Sequence, residues 1–125
     1  MEPDVSQILI VAHDLDLKHS ISNHYAMHDY HVVATENPLE ALNLIAQSAV
    51  NVVLFQYDAL NPTLTALLQD MLEARADLPL IVITRVESEK TVIDLLRIGV
   101  TDVFDLPLDH MDDLDQSVAR HMKRS

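Results

Sequence analysis

The sequence predicts one doubly wound α/β domain built from five βα units around a parallel sheet. Five short runs rich in β-branched and apolar residues recur along the chain, at residues 7–12 ("QILIVA"), 32–35 ("VVAT"), 51–55 ("NVVLF"), 80–84 ("LIVIT") and 100–104 ("VTDVF"). They are close to continuously apolar rather than alternating, which marks strands covered on both faces. The segments between them carry apolar residues at helical spacing. Strand and helix therefore alternate from end to end, and right-handed crossovers then give a single sheet with helices on both sides. A chain of 125 residues is long enough to bury one substantial core.

Each element has its own local warrant. The first run leads into a helix that Asp14 is placed to cap. The second leads into "NPLEALNLIAQS", where Asn37 is the expected N-cap, Pro38 fits the first helical turn, and Leu42 and Ile45 anchor the buried face. After the third run, Leu64, Leu67, Leu68, Met71 and Leu72 form an apolar stripe, and after the fourth, Val92, Leu95 and Leu96 form another. Gly99, the only glycine, follows "LLRI" as an expected helix C-cap. The last helix carries the stripe Met111, Leu114, Val118 and Met122. It begins acidic (Asp109, Asp112, Asp113) and ends basic (Arg120, His121, Lys123, Arg124), as the helix dipole favours. The stripes read as core. No linker, internal repeat or low-complexity tract interrupts the pattern, so residues 1–125 are expected to form one domain, either alone or as the N-terminal part of a longer protein.

Composition narrows the function. The absence of cysteine excludes disulfides, thiolate metal sites and a cysteine nucleophile. The longest apolar run, residues 78–83, is broken by Pro79 and is too short to span a bilayer, and "MEPDVSQ" has no basic-then-apolar leader, so a cytoplasmic location is expected. A formal net charge of −12 repels nucleic acid and anionic membranes, so neither is an expected partner. The acidity is read as a solubility feature rather than as a surface for a basic partner.

In a doubly wound sheet, ligands bind beyond the carboxyl ends of the strands, near the switch in strand order. Those ends carry Ala12, His13 and Asp14; Gln56, Tyr57 and Asp58; Thr84 and Arg85; and Asp105, Leu106 and Pro107. The loop "AHDLDLKH" has no glycine to cradle a phosphate, and no Ser/Thr-rich loop suits a flavin. No cofactor is expected, and the chain is read as a non-enzyme.

Four pieces in order, "ILIV" before an acidic loop, "YHVVATENPLEAL", "PLIVIT" and "LLRIGVTDVFDLP", resemble the receiver domain of two-component response regulators. The stretch "LRIGVTDV" is most similar to receivers of the adaptor type that presents a stationary-phase sigma factor to a protease. The resemblance implies a CheY-like, flavodoxin-like (βα)5 fold with strand order 2-1-3-4-5. It also implies a phosphotransfer site made of two acids after the first strand that help hold Mg²⁺, an acceptor aspartate ending the third, a Ser/Thr after the fourth and a Lys before the proline after the fifth. Carried onto this chain, the acid pair falls on Ala12 and His13, the acceptor on Gln56, the hydroxyl on Thr84, the lysine on Leu106, and the aromatic switch position on Val103. Alanine binds no metal, histidine suits zinc better than magnesium, and an amide forms no acyl phosphate. Thr84 alone matches. A shifted register would make Asp58, in "DALNP", the acceptor and would bury Gln56 within the strand; the unshifted register is preferred. The chain is thus expected to be a pseudo-receiver acting by phosphorylation-independent protein contact. The alternatives are an atypical phosphoacceptor using Asp58 and a small-molecule-sensing domain using the altered pocket.

Other residues carry smaller expectations. His24 and His28, four apart on the first helix, have zinc-compatible spacing, with His31 nearby, but no acidic or cysteine partner accompanies them at ligand spacing, so they are read as solvent-facing or half-buried histidines. Asp14 and Asp58 are weak candidates for a residual cation site, with helix capping the preferred role of Asp14. Asp105 is read as a solvated loop acid. Tyr57 and Phe104 are either exposed anchors for a partner or packed under a helix. By the resemblance, a protein partner or fused effector domain engages the fourth helix, fifth strand and fifth helix, and a homodimer through that face would have Val103 and Phe104 near the contact.

Overall fold

All five βα units form. The computed structural model describes residues 7–47, 50–109 and 111–122. In chain order these residues make β1 (Gln7–Val11), α1 (Leu15–Ala26), β2 (His31–Thr35), α2 (Pro38–Ala46), β3 (Val52–Gln56), α3 (Pro62–Ala74), β4 (Leu80–Thr84), α4 (Glu89–Ile98), β5 (Asp102–Asp105) and α5 (Met111–Met122). The strands are parallel and lie in the order β2-β1-β3-β4-β5, the expected flavodoxin-like arrangement.

The sheet separates two cores, which explains the near-continuous apolarity of its strands. Leu9, Val11, Val53, Phe55, Leu80 and Val82 face one core, closed by Ile45 of α2, Leu68 and Met71 of α3, and Leu95 of α4. Ile8, Ile10, Val52, Leu54, Ile81 and Ile83 face the other, closed by Ile21 and Tyr25 of α1 and by Leu114, Val118 and Met122 of α5. Side chains still alternate with period two, but both destinations are apolar. Burying strands on both faces is strongly favourable, at roughly 25 cal/mol per Å² of apolar surface removed from water.

Several element ends differ from the sequence expectation. Asn51 precedes β3 because its side-chain oxygen accepts the Gln7 N–H at 2.8 Å while its own N–H donates to the Gln7 carbonyl. Val100 and Thr101 precede β5; Val100 is buried, and the Thr101 hydroxyl accepts the Leu80 N–H at 3.0 Å. Ala12 lies just past β1, and β3 extends to include Gln56.

The caps follow the sequence closely. Asp14 caps α1 through its carboxylate, Asn37 caps α2 with Pro38 in its first turn, and Asn61 caps α3 with Pro62 in its first turn. Gly99 ends α4 with φ 119°, a left-handed conformation that L side chains rarely adopt. α5 has Asp112 and Asp113 in its first turn and Arg120 and His121 in its last; Asp109 lies before the helix, and Lys123 and Arg124 lie outside the described residues. One stripe departs from expectation. Leu96 was expected in the core, but on α4 only Leu95 is fully buried, and Ile93 and Leu96 are 48% and 49% exposed. Among the described residues, no helix is long and apolar enough to cross a membrane.

Candidate functional site

The chain leaves β1 for β2 on one side and returns to β3 on the other, so the carboxyl ends of β1 and β3 border the crevice at the topological switch. A cleft of about 300 Å³ opens there, lined by His13, Gln56, Tyr57, Asp58, Thr84, Arg85 and Leu106 among others. Of the positions singled out in the sequence, Ala12, Asp14, Val103, Asp105 and Pro107 do not line this cleft.

Gln56 is the centre of the arrangement. Backbone pairing between β1 and β3 ends at Val11 and Phe55, and Gln56 is the next residue of β3. The chain turning out of β1 leaves two backbone N–H groups pointing at this end of β3. The Gln56 side-chain oxygen accepts both, from His13 at 3.1 Å and from Asp14 at 3.0 Å. The glutamine thus fastens the β1–α1 loop to the end of β3. An amide oxygen occupied by two donors is neither a nucleophile nor a strong ligand for a hard cation.

The neighbouring groups are also committed. Ala12 is buried in the core beneath α1 and donates its N–H to the Thr35 carbonyl at 3.1 Å. The Asp14 carboxylate accepts the N–H groups of Asp16 and Leu17, at 3.0 and 3.2 Å. The Asp58 carboxylate accepts the Leu60 N–H at 2.9 Å, and the Asp58 carbonyl accepts the Asn61 N–H, so this acid closes its own turn ahead of α3. Thr84 is 1% exposed and ends β4 on the cleft floor. Leu106 donates its N–H to the Thr84 carbonyl at 2.9 Å and lays its side chain against the core beneath α1 and α5; the Leu106–Pro107 peptide is cis. Arg85 and His13 are the basic side chains of the lining.

Three sequence readings gain detail from the structure. Asp105 is exposed, as expected of a solvated acid, but it ends β5 rather than lying in the loop, and its carboxylate accepts the Val86 N–H at 3.0 Å, bracing the β4–α4 loop. Of the two readings open for Tyr57, the packed one holds: it lies half-buried on the core and its hydroxyl is 2.8 Å from the Thr65 hydroxyl. His24 and His28 do have an acidic neighbour: Asp115, supplied by α5 from 91 residues beyond His24. His31, exposed at the start of β2, is not in that group. Val103 and Phe104 point to opposite faces of β5, each half-buried against a different core.

No protein-family model matches the chain, and no curated protein matches it in sequence. Solved structures match it in fold over nearly its whole length. The non-phosphorylated HemR receiver domain from Leptospira biflexa superposes with a TM-score of 0.82 at 18% identity, covering 96% of each chain. The BeF3-activated N-terminal receiver domain of RstA from Klebsiella pneumoniae gives 0.79 at 21% identity, covering 95% of this chain and all of that one. The CheY-like protein TadZ from Pseudomonas aeruginosa gives 0.78 at 19% identity, covering 92% of this chain and 98% of that one. At such identities the likeness is one of fold.

Proposed function

With the fold of a response-regulator receiver domain as premise, we propose that this chain is a regulatory module that signals through protein contacts without being phosphorylated. One observation carries the reading: Gln56, which the resemblance places at the acceptor position, uses its amide oxygen to accept from the His13 and Asp14 backbone. The nearby carboxylates of Asp14 and Asp58 each bind backbone N–H groups of their own loops, and a leucine stands at the lysine position. Incubation with acetyl phosphate and Mg²⁺, followed by peptide mass spectrometry, should detect no phosphoryl group. Modification at Asp58 would overturn the proposal and favour the shifted register. The cleft beside Arg85 gives the small-molecule reading its own support, and a metabolite screen by thermal shift tests it separately.

The contact surface is assigned to α4, β5 and α5. Ile93 and Leu96, three apart on the outward face of α4, are large apolar side chains left half-exposed. β5 is an edge strand with one unpaired side. Beside it a shallow groove of about 210 Å³ is lined by Phe104, Pro107 and Leu108 with Asp105, Asp109 and Asp113. A partner or effector domain with an apolar centre suits this face, as does a second copy in a symmetric dimer. Light scattering on the native chain and on Ile93→Glu tests the dimer: a dimer broken by the substitution supports this assignment, and a dimer that survives it, or a monomer throughout, counts against the homodimer.

A further inference from the structure

α1 begins at the cleft with Asp14 and runs back along the sheet. At about 1.5 Å per residue, His24 lies about 15 Å from the cleft, near the opposite end of the domain. His24 is in the last turn of α1, and His28 follows one turn later, so both rings project on one side, with centroids 4.5 Å apart. α5 packs against the same side and presents Asp115. The two carboxylate oxygens of Asp115 lie 2.9 and 3.1 Å from the His24 Nε2. One donor atom from each of His24, His28 and Asp115 falls within 4.8 Å of the other two.

The tautomer of His28 is also fixed in a useful way. Its Nδ1 lies 2.7 Å from the His24 carbonyl oxygen, which can only accept, so in the neutral ring Nδ1 carries the proton and the lone pair is on Nε2. Backbone carbonyls orient metal-binding imidazoles in this manner. Tetrahedral bonds of about 2.1 Å would set donors about 3.4 Å apart. The His24–Asp115 pair is already near that spacing; the ion takes the place of their hydrogen bond, with the Nε2 proton of His24 released to solvent, and His28 closes in from within 4.8 Å. Two imidazole nitrogens and a carboxylate suit zinc and neighbouring transition ions, whereas Mg²⁺ demands oxygen ligands. A chain at net charge −12 attracts any cation to its surface.

We propose that His24, His28 and Asp115 form a binding site for Zn²⁺ or a similar divalent transition ion, with a fourth position open to solvent. The ion clamps the end of α1 to α5 and is independent of the phosphotransfer-like cleft. The untagged chain, stripped by chelator and titrated with ZnCl2 in calorimetry and thermal melts, should bind one equivalent saturably and melt at higher temperature, while MgCl2 should not reproduce the effect. His28→Ala, at an exposed position, and Asp115→Asn should each weaken Zn²⁺ binding about tenfold or more. His19→Ala and His121→Ala should leave it unchanged. Circular dichroism checks that every variant is folded. Failure of the folded native chain to bind Zn²⁺ saturably overturns the proposal, as does undiminished affinity in the His28 and Asp115 variants or equal loss in the two control variants.

Discussion

Gln56 holds the end of β3 to the β1–α1 turn. Its oxygen satisfies two N–H groups that the β1–α1 turn would otherwise leave to water. Gln56→Ala should lower the unfolding free energy by about 1 kcal/mol, the usual net worth of such bonds when partly solvated, measured by urea denaturation. Tyr25 poses a different problem. It is 1% exposed, and its hydroxyl makes no hydrogen bond of good geometry, although the Asp115 carboxylate is close enough to act on its proton. Burial first, and Asp115 second, raise its pKa well above the ordinary tyrosine range. The folded chain therefore keeps a proton that the unfolded chain gives up near pH ~10. The resulting stability is complete below that pH and is lost as pH rises above it. Denaturation at pH 8 and again above pH ~10 should show a loss in the native chain that is smaller in Tyr25→Phe. An equal loss in both would refute this role for Tyr25.

At the scale of the element, α4 is the most informative. Its sequence stops it sharply, because Gly99 adopts φ 119° and donates its N–H to the Leu95 and Leu96 carbonyls. A Cβ at this position would lie 3.3 Å from the Leu72 Cδ1 and would force an L residue into left-handed backbone. Gly99→Ala should cost about 1–2 kcal/mol, read from the urea midpoint at unchanged slope. The outward face behaves in the opposite way. Ile93→Glu removes half-exposed apolar surface and should leave stability within about 0.5 kcal/mol. Loss of partner binding in that variant would then report on the surface and not on the fold.

Across the whole molecule, charge is the dominant long-range term. A net charge of −12 on one small domain repels itself in the compact state. Raising NaCl from about 0.01 to 0.1 M shrinks the screening length from about 30 to 10 Å, so the melting temperature should rise with salt. Mg²⁺ must therefore be compared at constant ionic strength. Under that control, millimolar MgCl2 should leave the melting temperature unchanged, because Asp14 and Asp58 each bind the backbone through one oxygen and leave only the other, and Gln56 and Ala12 add too little for Mg²⁺. A saturable stabilisation that Asp58→Asn removes would contradict this.

The sequence alone determined the five βα units, the caps Asp14, Asn37 and Gly99, and the residues that meet at the carboxyl ends of the strands. These are local matters: the period of apolar residues, a capping oxygen two or three residues from the N–H it accepts, and one residue free to take positive φ. It also showed which side chains stand at the positions where the resembled family keeps its reactive groups. Only the tertiary structure decided what those side chains bind. That Gln56 binds the backbone of residues 43 and 42 positions away follows from two strands that are adjacent in space alone. The same holds for Asp105, whose carboxylate reaches Val86, and for the exposed face of α4, where the apolar stripe is wider than the core it covers. It holds most strongly for Asp115, which no spacing rule links to His24 and His28. The packing of α1 and α5 on one face of the sheet brings the three together, and a contact across that many residues leaves no periodic trace in the chain.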